Sequence, residues 1–207
     1  MIAARRTLIL AVGLSLAGCG GLLPAPPPAP DLYTLSPAAE PPAGSAPSPA
    51  GQLLVGDVAA PAALDTTRIA LTRDPTQVEY FAKSGWTDRA PVLVQNLLLD
   101  TLEASGRFKA VARRSLTLRA DYVVIGELKH FEADYRAGSP PQIRVALELQ
   151  LVRSSGGEIL GQRIFAASAP AAANAVPAIV EAFDAASHQA LADAAPWAAG
   201  VLAAKKP

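Results

Sequence analysis

Cysteine occurs once in this 207-residue chain, histidine twice, and aromatic residues make up only 5%. A single cysteine excludes an internal disulfide framework and any CxxC metal or redox pair. The two histidines, His130 and His188, have no partner at ligand spacing, HExxH does not occur, and each is expected to sit on a strand face or the surface. Neither a GxSxG elbow nor a GxxxxGK[ST] loop is present, and the serines gather in turns and linkers. Basic and acidic groups balance at 18 each, so the basic excess that nucleic-acid binding needs is missing. Glu127, Glu132 and Asp134 are the candidate acids for acid–base work, but acids alternating along a strand read as solvated. The expectation is a non-enzyme with no catalytic residue, no metal, no cofactor and no nucleic-acid partner.

What the chain does have begins at its N-terminus. "MIAARRTLILAVGLSLAG" places Arg5 and Arg6 before an apolar run from Leu8 to Ala17, followed by small residues. That is the layout of a secretory signal peptide, residues 1–18, and its apolar run is too short to span a membrane as a helix. Removing it leaves 16 basic and 18 acidic groups. Leu16-Ala17-Gly18-Cys19 resembles the bacterial lipobox, which implies cleavage between Gly18 and Cys19 and a diacylglycerol on the Cys19 sulfur. The alternative is an incidental cysteine after an ordinary signal. Stable anchoring takes more than one acyl chain, and several on one residue provide that. Gly20 stands where an Asp would retain the protein at the inner membrane, so the expected address is the outer membrane, facing the periplasm.

Residues 19–51 are dominated by Pro, Ala, Gly and Ser and read as a spacer, with a possible edge strand at 31–36 in "DLYTL". The domain proper is expected over 52–207. Its 51% hydrophobic content is inflated by 44 alanines, so the core must come from Leu, Val and Ile segments. Strands are predicted at 52–61, 66–74 and 107–112, a short strand or turn over 78–85, a longer strand over 120–136, and a hairpin over 142–170 turning at 154–157. In that hairpin Ile143, Val145, Leu147, Leu149 and Leu151 share one face, while Arg144, Glu148 and Gln150 face water. One helix follows Thr87 or Asp88 as cap, carries Pro91 in its first turn and Val94, Leu97, Leu98 and Leu102 on one face, and ends at Gly106. A second starts at a capping Asn174, runs to about Ala195 before Pro196, and turns Ile179, Phe183, Ala186 and Ala190 inward. The predicted fold class is α+β, a mostly antiparallel sheet with two helices packed on one face. Trp86, just before the first helix, reads either as a staple under its first turn or as a contact for a partner. Trp197 is either a lid on the core or part of a contact surface.

The order of these features resembles the auxiliary lipoproteins of ABC-type, MCE-associated lipid transport systems, the family of paraquat-inducible protein C. The match is carried by the lipobox, "YTL" at Tyr33 to Leu35, "LLVGDVAAPAALDTTRIALTR" from Leu53 and "VEYFAKSGWTDRAPVLVQNLLLDTL" from Val78, with Val58, Pro61, Leu64, Arg68, Trp86 and Pro91 at family positions. It departs at Ala63, where the family has Tyr, and in two extra residues between Trp86 and Pro91. The resemblance implies an outer-membrane-anchored periplasmic adaptor for moving lipid between membranes, with a permease, an ATPase and an MCE-domain protein as partners, and self-assembly through open strand edges as a possibility. Two alternatives remain at this point, a lipid-binding carrier and a general envelope scaffold.

Overall fold

The apolar run that opens "YVVIGELKHFEAD" becomes β6 (Tyr122–Asp134), the strand on which the whole sheet is assembled. The computed structural model describes residues 29–38, 51–115 and 119–205; the leader, Cys19 and most of the spacer lie outside them. Along one edge of β6, β7 (Gln142–Arg153) pairs antiparallel without a break in partnership from Tyr122↔Arg153 to Asp134↔Gln142, with one bulge near Leu128. β8 (Ile159–Pro170) pairs antiparallel with β7 through a turn in which Gly156 and Gly157 both take positive φ, a conformation glycine adopts without steric cost.

The other edge of β6 is shared. β2 (Gln52–Ala59) runs parallel to its first half, from Leu53↔Tyr122 to Ala59↔Glu127, and β3 (Arg68–Asp74) parallel to its end, at Leu71↔Ala133 and Thr72↔Asp134. β5 (Ala110–Arg113) flanks β2 in parallel, β4 (Gln77–Trp86) returns antiparallel on β3, and β1 (Asp31–Tyr33) lies parallel on β4 at the sheet's margin.

Four of the seven pairings are therefore parallel, and the sheet is mixed where the sequence predicts a mostly antiparallel one. Successive strands separated by turn residues read as hairpins, but β2 and β3 follow each other in the same direction along β6. The connection from β4 to β5, which run in opposite directions, is made by α1 (Ala90–Ala104).

The helices close the core. Val94, Leu97, Leu98 and Leu102 of α1 are all buried, and α1 contacts β2, β5 and β6. Its N-cap is Arg89, in extended conformation with no side-chain cap bond, because Pro91 already removes one of the orphan N–H groups. Thr87 and Asp88 thus stand two and one positions too early to cap. Ile179, Phe183, Ala186 and Ala190 form the buried stripe of α2 (Val176–Leu191), which contacts β7 and β8. Asn174 does not cap it either: the N-cap is Ala175, and Asn174 Oδ1 accepts a hydrogen bond from the Tyr135 hydroxyl at 2.6 Å. The chain breaks at 192–193 and continues as α3 (Ala194–Ala204), with Pro196 in the first turn, where its missing N–H costs nothing. The described residues thus hold three helices where two are predicted. All three contribute to one cluster of buried residues that also holds Ile143, Val145, Leu147, Leu149 and Leu151.

Candidate functional site

The shared edge of β6 leaves a gap. Between Ala59↔Glu127 and Leu71↔Ala133, residues 128–132 have no strand partner on the β2/β3 side. Here the chain between β2 and β3 swings out, turned by the N–H groups of Leu64 and Asp65 donating to the Pro61 carbonyl at 2.8 and 2.9 Å. A cavity of about 300 Å³ opens at this place. Pro61, Leu64, Leu71 and Val78 give it an apolar wall, and His130, Glu132, Arg136 and Arg144 a charged one.

Local chemistry explains how charge is held there. Without a neighbouring strand, the Phe131 N–H would be left unpaired, and the Glu132 carboxylate accepts it at 2.8 Å. The other Glu132 oxygen lies 2.9 Å from His130 Nδ1. Arg136 donates from Nε to both Asp134 oxygens at 2.9 and 3.1 Å and from Nη2 to one of them. This guanidinium holds the Asp134 carboxyl down to about 2, against the cost of burial. Glu132 and Asp134 are each only 9% exposed, so the reading of both as solvated acids is corrected: they are buried because cations and a backbone N–H satisfy them. Arg144, expected to face water, keeps 36% of its side chain exposed and also lines the cavity, with Nη1 at 3.6 Å from Glu132 and 3.7 Å from Asp134, and Nη2 at 3.4 Å from His130 Nε2. Lys129 is engaged by Glu127 at 2.6 Å and by Glu148 at 3.5 Å.

His188 belongs to a second cluster, with Ser36 and Asp184. The Ser36 hydroxyl and backbone N–H both donate to the Asp184 carboxylate at 2.7 Å, and Ser36 Oγ stands 3.0 Å from His188 Nε2. The hydroxyl has one proton, and Asp184 takes it. The Ser36 oxygen keeps its lone pairs for His188 Nε2, 3.0 Å away. The three residues form a clamp that binds the segment after β1 to α2, and Leu35, beside Ser36, is buried in the core.

Trp86 is 1% exposed and packs against Phe131 and Phe183 with ring centroids at 5.5 and 5.2 Å. It is a core residue here, and its side chain is not presented to a partner. Trp197 is half-buried and meets the Phe165 ring edge-on at 5.4 Å. Gln95 of α1 is buried: it donates to the Gly56 carbonyl at 2.7 Å across the β2 bulge and accepts from Arg113 at 2.7 Å. Neither Gln95 nor Arg144 was legible as a site residue. The signal for both lies in register, a polar side chain opposite a strand irregularity, which a single sequence does not display. Gly18 and Cys19 lie outside the described residues.

Among the described residues no cluster of three or more His, Cys, Asp or Glu side chains could hold a metal ion, and no helix is long and apolar enough to cross a membrane. No curated protein matches the sequence. Among solved structures, the chain is similar to protein XCC0632 from Xanthomonas campestris, at 26% identity and a TM-score of 0.75, covering 84% of this chain and 99% of that one. The fold alone is shared with an uncharacterized protein at 17% identity and a TM-score of 0.62, covering 82% of this chain and 99% of that one. It is shared likewise with CT253 from Chlamydia trachomatis at 12% identity and a TM-score of 0.50, covering 75% and 99%. The model of the ABC-type transport auxiliary lipoprotein component family matches residues 33–195, most of the fold described above, and the chain belongs to that family.

Proposed function

We propose that this protein is the membrane-tethered auxiliary component of an ABC-type, MCE-associated lipid transport system, anchored to the outer membrane through acyl chains on Cys19 and facing the periplasm. The observation that carries the reading is the family match over residues 33–195, which includes the strand-to-core segment that follows the spacer. Its partners are a permease, an ATPase and an MCE-domain protein, and no cofactor is required beyond the covalent lipid.

The docking of β1 and Ser36 changes the reach of the tether. If residues 19–51 were all spacer, it could extend far into the periplasm. With Asp31 already in the sheet, only Gly20 to Pro30 lie between anchor and domain, eleven residues that span about 34 Å as polyproline. The domain therefore works close to its membrane, and partners come to it. Strands β1, β5 and β8 each have one partner, which leaves edges for self-assembly or for those partners.

The test has two arms. Wild-type protein should fractionate with the outer membrane and Cys19→Ala should be released to the soluble periplasm; firm membrane retention of the variant overturns the anchor. Crosslinking in cells should recover an MCE-domain protein or permease, and recovery of neither overturns the transport role.

A further inference from the structure

The two walls of the gap cavity differ in chemistry, and the cations on the charged wall differ in how their donors are used. Arg136 is committed to Asp134 through Nε and Nη2, and Lys129 to Glu127. Arg144 is held between Glu132 and Asp134 at 3.6 and 3.7 Å, close enough for attraction and too far for a short charge-assisted hydrogen bond. It is thus a positioned guanidinium whose planar fork, the geometry that suits carboxylate and phosphate, has not been spent on either neighbour. Facing it are Leu64 and Leu71, 8% and 4% exposed, and Val78 on the rim, 48% exposed.

We infer that the gap cavity binds an anionic amphiphile, a phosphate or carboxylate group on Arg144 whose aliphatic stem lies along Leu64, Leu71 and Val78. A volume of about 300 Å³ is at the lower limit for a ligand site. It takes a head group and the start of a chain, not a whole lipid. Glu132 and Asp134 stand behind Arg144 and offset part of its charge, so an anion without a stem binds weakly. A stem without an anion leaves the guanidinium unanswered. The inference rests on the cavity and does not need the transport role.

Calorimetric titration of the mature full-length chain carrying Cys19→Ser tests it, using decyl phosphate below its micelle concentration, decyl glucoside, inorganic phosphate and a short acidic peptide. Decyl phosphate should bind one to one and at least tenfold more tightly than each of the others. Arg144→Gln should weaken it at least tenfold, Arg144→Lys less. Val78→Glu, an exposed rim change that leaves Arg144 and its neighbours in place, should also abolish binding, which keeps the test informative if Arg144→Gln folds poorly. Decyl glucoside binding as well as decyl phosphate overturns the anion site. Inorganic phosphate or the peptide binding as tightly overturns the amphiphile, assigning the site to free phosphate or a protein partner. Unchanged binding by Arg144→Gln or Val78→Glu overturns the location.

Discussion

The two edges of β6 have the same backbone and opposite designs. Toward β7 the ladder runs its full length, and the side chains on its inward face, Phe131 and Ala133 beside Val145, Ile143 and Leu147, are buried, with β7 and Phe131 against α2. Toward β2 and β3 it is interrupted, and ions, a backbone-binding carboxylate and a cavity occupy the interruption. The difference separates two tasks: the continuous edge supplies stability through apolar burial, and the broken edge places charge where a continuous strand would have excluded it.

That division is open to test by substitution. Leu147→Ala, in the middle of the continuous edge and fully buried, should cost about 2–5 kcal/mol in chemical denaturation, the range for a truncated core leucine. Val78→Ala, on the rim of the gap, should stay within about 0.5 kcal/mol, as exposed positions do. Comparable losses at the two sites would erase the distinction. Between these extremes lies Glu132. Glu132→Ala strands the Phe131 N–H and removes a partner of His130 and Arg144, at a cost of roughly 1–3 kcal/mol. Glu132→Gln keeps an acceptor for that N–H and should lose measurably less. Equal costs for the two would mean that the backbone bond contributes nothing.

Acid should unmake the gap before the core. The Asp134 carboxyl is lowered in the folded protein to about 2, below its ordinary value of 3.8, so the stability from its pairing with Arg136 is complete above about pH 4. It is lost as pH falls toward 2. The contribution is of order 1–2 kcal/mol, a little under what the full shift implies at 1.36 kcal/mol per unit. Asp134→Asn should flatten the fall in stability between pH 4 and 2, and a variant as steep as wild type would show that other carboxylates carry the acid response.

The strand content of this fold was readable because alternation survives in β7 and the 3.6-residue stripe in α1 and α2, both properties of nearest neighbours in sequence. Ile143 to Leu151 and Ile179 to Ala190 are buried as their spacing requires. The pairing of β2 and β3 to one edge of β6 was not readable, because the two lie end to end on that edge with only a loop between them, a long-range placement that leaves no local pattern. The same gap hid the site. Glu132 and Asp134 fall on the face opposite Phe131 and Ala133, where alternation assigns water, and only the loop after β2 and the neighbouring Arg136 and Arg144 turn that face inward. The helix boundaries failed for local reasons of another kind: Asn174 had a competing partner in Tyr135, and Pro196 could begin a helix as readily as end one.

A local effect concerns the clamp that joins the membrane-proximal segment to the domain. Ser36 is held by two 2.7 Å bonds to one carboxylate, while β1 contributes only three pairs to the sheet and exposes Leu32. Asp184→Asn keeps the shape of the side chain but removes its charge: the amide oxygen can still accept from the Ser36 N–H while its NH2 donates to Ser36 Oγ, so both bonds lose their charge assistance. Because the clamp is near the surface, the global loss should be about 1 kcal/mol or less. Local opening should change more than global stability, since the segment has few other contacts to hold it. Amide exchange at Leu35 and Ser36 should accelerate severalfold in Asp184→Asn while amides in β7 keep their wild-type rates. His188→Ala, which removes a contact to Ser36 Oγ but neither bond to Asp184, should speed the same amides less. Acceleration spread evenly through β7 would show that the segment and the core open together. In that case the tether is fixed by the whole domain, not by this carboxylate, and the break between its two edges does not extend to how the chain is held.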